Sequence, residues 1–242
     1  MSAAITGYHA VEEAIRSGAA GAVLFVSKGG RRIEELIGLA KRNGIVVKRE
    51  KDAAIEKLCG HHDHRGFVLT LDKPILHEEH SLNDFLAGLE AENSLVIILD
   101  GVTDPHNLGA VMRSADQFAV DLLIIPQRRA AHENETVARS SSGASAYVPV
   151  VVAPNLVNAA GELKEHGFWV YGADVEGRPA AQVDLRGRTA LILGSEGRGI
   201  ARLLRERCDA LIKIETKGHV DSFNVSVAAG ILMYEARRQQ WP

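Results

Sequence analysis

The sequence predicts an α/β protein in two bodies, the larger built on a mainly parallel sheet. Two observations lead there. From Leu95 onward, near-continuous apolar runs alternate with stretches of helical period, the pattern of parallel strands covered on both faces. An acidic stretch containing Pro74 divides the chain, with net charge +2 over residues 1–72, −4 over 73–94 and −1 over 95–242. A length of 242 residues suits one large domain or two modest ones.

The first body, 1–72, reads as a small α/β unit. A helical stretch around Val11 to Ile15 precedes a strand AVLFVS at 22–27, an amphipathic helix Ile33 to Lys41, a strand IVVK at 45–48 and a strand GFVLTL at 66–71. The middle, 73–94, reads as a linker running into a helix, because Ser81 followed by Asp84 makes an N-cap with an acidic third helical residue. In the second body, 95–242, strands are expected at 95–100, 122–126, 147–152, 168–174, 190–194 and 210–214. The helices between and after them are expected up to about Ala119, near 133–141, and over 155–166, 200–207 and 224–239.

Composition narrows the function classes. With 46% hydrophobic and 24% charged residues the chain is globular rather than disordered or fibrous. A net charge of −3 argues against sequence-blind attraction to nucleic acid or an anionic membrane, although local basic patches remain open. Cys59 and Cys208 form no CxxC pair, which fits a reducing, cytoplasmic setting. The crowded Cys59, His61, His62, Asp63 and His64 do not match a two-by-two zinc spacing, so a polar loop is expected there and no metal.

Three segments carry chemistry-bearing residues. The first is DGVTDPHNLGAVMRSADQF at 100–118, where Asp104 and Pro105 are suited to start a helix. Asn107 and Arg113, six apart, are about 120° from each other on an ideal helix, so Asn107 is expected in the entrance loop and Arg113 on the helix. The second is LILGSEGRGI at 191–200, a buried strand ending in G-x-x-G-x-G. It is neither a G-x-G-x-x-G nor a P-loop spacing, and it embeds Glu196 where packing does not call for a carboxylate. The third places Ser222, itself a possible N-cap, and Asn224 at the entrance of a helix whose small residues allow close approach to a neighbour.

Together these segments resemble the three motifs of the SpoU family of SPOUT-class RNA ribose 2′-O-methyltransferases, and the resemblance spans essentially the whole chain. It is strongest to the type that modifies a guanosine of bacterial large-subunit rRNA, through GYHAVEEAI at 7–15, HRGFVL at 64–69 and DGVTDPHNLGAVMRSAD at 100–116. The resemblance implies a small N-terminal substrate-binding domain, a C-terminal parallel-sheet domain threaded into a trefoil knot, S-adenosylmethionine as cofactor, RNA as partner and a homodimer. True knots are too rare for sequence patterning to suggest one.

By the same resemblance Asn107, Arg113, Glu196, Ser222 and Asn224 form the catalytic set, with Arg113 proposed in the family as general base. The cofactor would rest on Leu193, Gly194, Glu196, Gly197, Ile214, Ser222, Asn224 and Val225. Arg31, Arg32, Lys48, Arg49, Arg128 and Arg129 are candidates for RNA phosphates. The family often has leucine where Phe223 stands here. Two other classes stay open: a noncatalytic RNA-binding or ribosome-assembly factor on the same fold, and a nucleotide-dependent enzyme using the glycine turn. Within the methyltransferase reading, another rRNA nucleotide or a tRNA are the alternatives.

Overall fold

The computed structural model describes residues 3–16, 18, 21–60, 62–71, 81–127, 148–219 and 222–241. The expected helix near 133–141, together with Arg128 and Arg129, lies outside the described residues.

The N-terminal body is a four-stranded sheet with helices on both faces. In chain order its elements are β1 (Ala3–Ile5), α1 (Tyr8–Arg16), β2 (Val23–Val26), α2 (Arg31–Arg42), β3 (Val46–Arg49), α3 (Asp52–Cys59) and β4 (Phe67–Leu71). The strand order is β1-β4-β2-β3, with β4 antiparallel to both β1 and β2 and only β2–β3 parallel. Alternation along the strands separates two small cores. Leu24, Val26, Phe67 and Leu69 face α1 and α2, whereas Val68 meets Ile55 and Cys59 of α3. The β3 edge is short, and its Lys48 and Arg49 help keep a further strand from adding there. Neither β1 nor α3 was expected from the sequence.

Two residues of the expected polar loop are spoken for structurally. Cys59 is buried on Ile55, and His64 is buried with its Nδ1 accepting the Gly66 N–H at 3.1 Å. Among the described residues no group of histidine, cysteine and carboxylate side chains could hold a metal ion.

The C-terminal body begins before the point the sequence reading gave it. Helix α4 (Leu82–Ala87) opens with the expected capping box of Ser81 and Asp84, and it buries Leu82 and Leu86 against Val96 and Ile98. Arg188 reinforces this attachment by donating to the carbonyls of Leu89, Ala91 and His166. The helix assigned to the linker is therefore part of the second core; its apolar face fixes it there.

The remaining elements are β5 (Ser94–Asp100), α5 (Pro105–Gln117), β6 (Leu122–Pro126), β7 (Val150–Ala153), α6 (Leu156–Glu165), β8 (Trp169–Pro179), a 3₁₀ turn (Ala180–Gln182), β9 (Arg188–Gly194), α7 (Arg202–Arg205), β10 (Ala210–Lys213) and α8 (Val225–Gln240). The six strands run in the order β10-β8-β9-β5-β6-β7, every neighbouring pair parallel. Both faces are buried, as the continuous apolar runs predicted. Leu95, Ile97 and Leu99 of β5 join Val111, Met112, Ala229 and Met233 on the α5–α8 side, while Val96 and Ile98 join Leu156, Ala160 and Leu204 on the other. Each fully buried valine, leucine, isoleucine or methionine among them contributes roughly 1.5–3 kcal/mol.

Strand β8 is longer than expected because it serves two partners. It pairs with β9 only through Gly172, and its register with β10 jumps from Gly172 opposite Leu211 to Arg178 opposite Ile212. Gly177 lies so close to β10 that a side-chain carbon there would sit 2.5 Å from the Ile212 nitrogen. The intervening Asp174 and Glu176 are held by Arg205 of α7 at 3.2 and 2.8 Å. No helix among the described residues is long and apolar enough to cross a membrane.

Candidate active site

An all-parallel sheet brings every strand's carboxyl end to one side, which is where open α/β sheets bind ligands. Two of the sequence-predicted segments follow such ends: α5 after β5, and the glycine turn after β9. The third opens α8, beyond β10.

Asp104 caps α5, its carboxylate accepting the His106 N–H at 2.9 Å, and Pro105 is the first helical residue. That start makes Asn107 the third residue of the helix, so the expectation that Asn107 lies in the entrance loop is wrong. Proline fixes φ at a helical value, which carries the helix back to Pro105. Arg113 is on the same helix and exposed, about 9 Å further along its axis.

The turn after β9 is shaped by its glycines. A side-chain carbon at Gly194 would sit 2.1 Å from the Gly199 carbonyl carbon, so only glycine lets the chain fold back there. Gly197 and Gly199 have φ of 84° and 64°, in the left-handed region. Two backbone bonds close the turn, Ser195 N to Gly199 O at 3.2 Å and Gly199 N to Ser195 O at 2.9 Å. Glu196 and Arg198 stand at its tip.

Asn224 joins the three segments. Its Oδ1 caps α8 by accepting from the Ser226 N–H at 3.0 Å and from Ser226 Oγ at 2.6 Å. With the amide oriented this way, its Nδ2 donates to Glu196 Oε1 at 2.7 Å and to Asn107 Oδ1 at 3.0 Å. Asn107 Nδ2 and the Val225 N–H also reach Glu196 Oε1, each at 3.5 Å. One carboxylate oxygen is thus surrounded by donors, while Oε2 makes no hydrogen bond to a described residue and is open to a ligand.

Of the predicted catalytic residues, then, Asn107, Glu196 and Asn224 meet directly. Arg113 is carried by the helix that holds Asn107. Ser222 is exposed two residues before the cap and is not the cap itself; Asn224 takes that role. The main chain of Leu193, Gly194 and Gly197 borders the glycine turn, Ile214 follows β10, and Val225 begins α8. Ser226, expected only as a small packing residue of the helix, also steadies Asn224 through its hydroxyl. Cys208 offers no nucleophile, since burial pushes its thiol up to about 11.

In the N-terminal body Arg31 pairs with Glu35 and Arg49 with Glu34, while Arg32 lies over the Tyr8 ring and Lys48 over the Phe25 ring. Exposed pairs of this kind are weak and leave the cations recruitable.

Residues 94–234 match the model of the SpoU rRNA Methylase family, and residues 4–76 match that of the RNA 2′-O ribose methyltransferase substrate-binding domain. The chain belongs to the SpoU rRNA methylase family. A 23S rRNA (guanosine-2′-O-)-methyltransferase, RlmB, of Xylella fastidiosa is 39% identical over 240 residues, covering 98% of this chain and 96% of the relative. An uncharacterized tRNA/rRNA methyltransferase of Borreliella burgdorferi is 39% identical over 218 residues, covering 88% of this chain and 96% of the relative. Among solved structures, the SpoU methyltransferase AviRb of Streptomyces viridochromogenes, in complex with AdoMet, shares the fold with a TM-score of 0.80 at 22% identity, covering 98% of this chain and 90% of that one.

Proposed function

We propose that this protein transfers a methyl group from S-adenosylmethionine to a ribose 2′-hydroxyl of large-subunit rRNA, at a guanosine. The observation that carries the reading is the Asn107–Glu196–Asn224 network, which draws three sequence-distant motifs into one hydrogen-bonded set at the carboxyl side of a parallel sheet. The choice of guanosine follows the Xylella fastidiosa relative, aligned over nearly the full length.

The residues present fit the cofactor. A side-chain carbon built at Gly197 or Gly218 meets nothing within 4 Å, so both loops have open space beside their main chain. Leu193, Gly194, Gly197, Ile214 and Val225 would lend backbone groups to it, with Glu196, Ser222 and Asn224 adding polar side chains. The cofactor supplies an electrophilic methyl group. This chain's task is to present the hydroxyl and stabilise the charge that develops on it. Asn107, Glu196 and Asn224 hold the ribose in place. Arg113 acts as the cation facing the developing alkoxide, because a charged guanidinium has no acceptor with which to take a proton, and the hydroxyl proton leaves to solvent as the methyl–oxygen bond forms.

The N-terminal body, residues 1–72, is the RNA-binding module in this reading, with Arg31, Arg32, Lys48 and Arg49 on phosphates and Arg128 and Arg129 contributing from the larger domain. The cytoplasm is its setting. A homodimer, with the family's knotted segment near the interface, is part of the same reading. It is supported by exposed Phe223, Val227, Ile231 and Tyr234, spaced to form one apolar stripe on and just before α8.

The test is to map ribose methylation in rRNA from cells with and without the gene, alongside transfer from labelled S-adenosylmethionine in vitro. One guanosine should lose its methyl group. No difference between the maps, or thermal stabilisation by NAD or ATP only, would overturn the proposal. The domain division has its own test: a chain starting at residue 81 should fold and bind cofactor but lose RNA methylation, whereas one starting at 90 should be less stable for lack of Leu82 and Leu86.

A further inference from the structure

The arginines of the larger domain differ in how they are held. Arg186, Arg202, Arg205, Arg237 and Arg238 bond carboxylates of their own chain, and Arg188 bonds three backbone carbonyls. Recruiting Arg205 or Arg237, whose pairs are partly buried, means giving up a charge-assisted bond, whereas the exposed pairs of Arg186, Arg202 and Arg238 are weaker. Arg198 is exposed and makes no hydrogen bond or ion pair to a described residue. The side chains of Arg178 and Arg207 are also exposed and without such a bond, but they stand on β8 and just before β10 rather than on the turn that carries Glu196. Arg198 is two residues from Glu196, on the same closed turn.

That turn is a firm mount. Left-handed glycines flank Arg198 on both sides, and the two backbone bonds between Ser195 and Gly199 close the turn. Glu196 Oε1 ties the tip to Asn107 and Asn224. The turn therefore carries a carboxylate committed to the network and, beside it, an uncommitted guanidinium.

The chemistry of the substrate gives that guanidinium a task. Every internal 2′-hydroxyl in RNA neighbours the 3′-phosphodiester of its own nucleotide, so a site that takes in the ribose must also accept a negative charge. Glu196 alone would repel it. We propose that Arg198 is a substrate-binding residue that grips a backbone phosphate next to the ribose being methylated, its planar fork offsetting the charge of Glu196. This inference rests on the RNA ribose methylation reading above.

The full-length protein and an rRNA fragment containing the methylated nucleotide provide the test, by methyl transfer at saturating S-adenosylmethionine across RNA concentrations. Arg198→Ala should raise the KM for RNA about 10-fold and leave the rate at saturating RNA within about threefold. It should also reduce the slope of log affinity against log salt by about 1. Arg198→Lys should recover part of the affinity. S-adenosylmethionine binding by calorimetry should be unchanged in both. A neutral methylphosphonate 3′ to the target ribose should weaken the wild-type protein to the level of Arg198→Ala and have little further effect on that variant. An unchanged KM in Arg198→Ala, or additive effects of variant and methylphosphonate, would overturn this inference while leaving the proposed activity standing. Cofactor affinity falling in step with RNA affinity would also overturn it, by showing that the turn itself was disturbed. A wild-type protein that binds the cofactor but methylates no RNA would overturn both.

Discussion

The two ends of α8 are both fastened to α5, by opposite means. At the start of α8, exposed Asn224 meets Asn107 and Glu196 through a single amide and a single carboxylate oxygen. Near its end Arg237, 6% exposed, donates to Asp121 at 2.9 Å, to the Phe118 carbonyl at 2.8 Å and to the Ala119 carbonyl. Those two carbonyls belong to the C-terminal turn of α5, where Ala119 is left-handed (φ 47°) in a position that usually favours glycine. Between the two ends the helices touch closely, with Gly230 lying over Ser114. The buried fastening commits Arg237 to carbonyls and a carboxylate of its own chain. The exposed one keeps Glu196 Oε2 open, so stability is concentrated at one end and chemistry at the other.

Breaking the buried end should have the largest effect. Arg237→Ala leaves Asp121 and two carbonyls without their cation and should cost about 3 kcal/mol of folding stability. Denaturant unfolding would measure it, and a loss below about 1 kcal/mol would show that the clamp is not what holds this end. At the other end the effect should appear in rate. Arg113→Ala should lower methyl transfer at least ~100-fold with cofactor binding within a few-fold, and Arg113→Lys should not rescue it. Near-normal single-turnover rates in the alanine variant would remove Arg113 from the mechanism.

Asn224→Ala probes both properties at once. Loss of the cap should cost about 1 kcal/mol, while Asn107 and Glu196 lose their shared partner. Methyl transfer should fall further than stability does; equal small losses would make Asn224 a cap only. The smallest expected change is a gain: Ala119→Gly relieves the left-handed alanine and should add roughly 0.5–1 kcal/mol, read as a higher midpoint in thermal melts.

Much of this contrast was legible in the sequence, though unevenly. The buried strands β5, β6 and β9 announced themselves because a strand covered on both faces is apolar at every position. Helix α5 was legible from Asp104 and Pro105, and the same two residues should have placed Asn107 inside the helix. β1 was hidden because it has three residues, and α3 because DAAIEKLC offers few apolar positions from which to read a period. The second half of β8 was hidden because VEGRP reads as a loop until β10 is beside it. The motif residues could be named from resemblance, but not their bonds. Nothing in the spacing says that one asparagine both caps α8 and holds Glu196, because that depends on which way an amide is turned. The Arg237 clamp was equally invisible: a C-terminal arginine on a helix is ordinarily read as solvated.

The double duty of Asn224 has a consequence for local motion. Helix ends open and close continually, and the first turn of α8 cannot fray without releasing the amide that orients Glu196 and Asn107. Fraying and site disassembly are then one event, and a ligand that needs the assembled network must draw on whatever free energy keeps that turn closed. By linkage, such a ligand closes the turn in return, to an extent set by its concentration over its dissociation constant. The Ser226 amide hydrogen, bonded to Asn224 Oδ1, is the natural reporter. Its exchange with solvent should slow in proportion to site occupancy, so that the integrity of the network can be followed at a single backbone position with no turnover taking place.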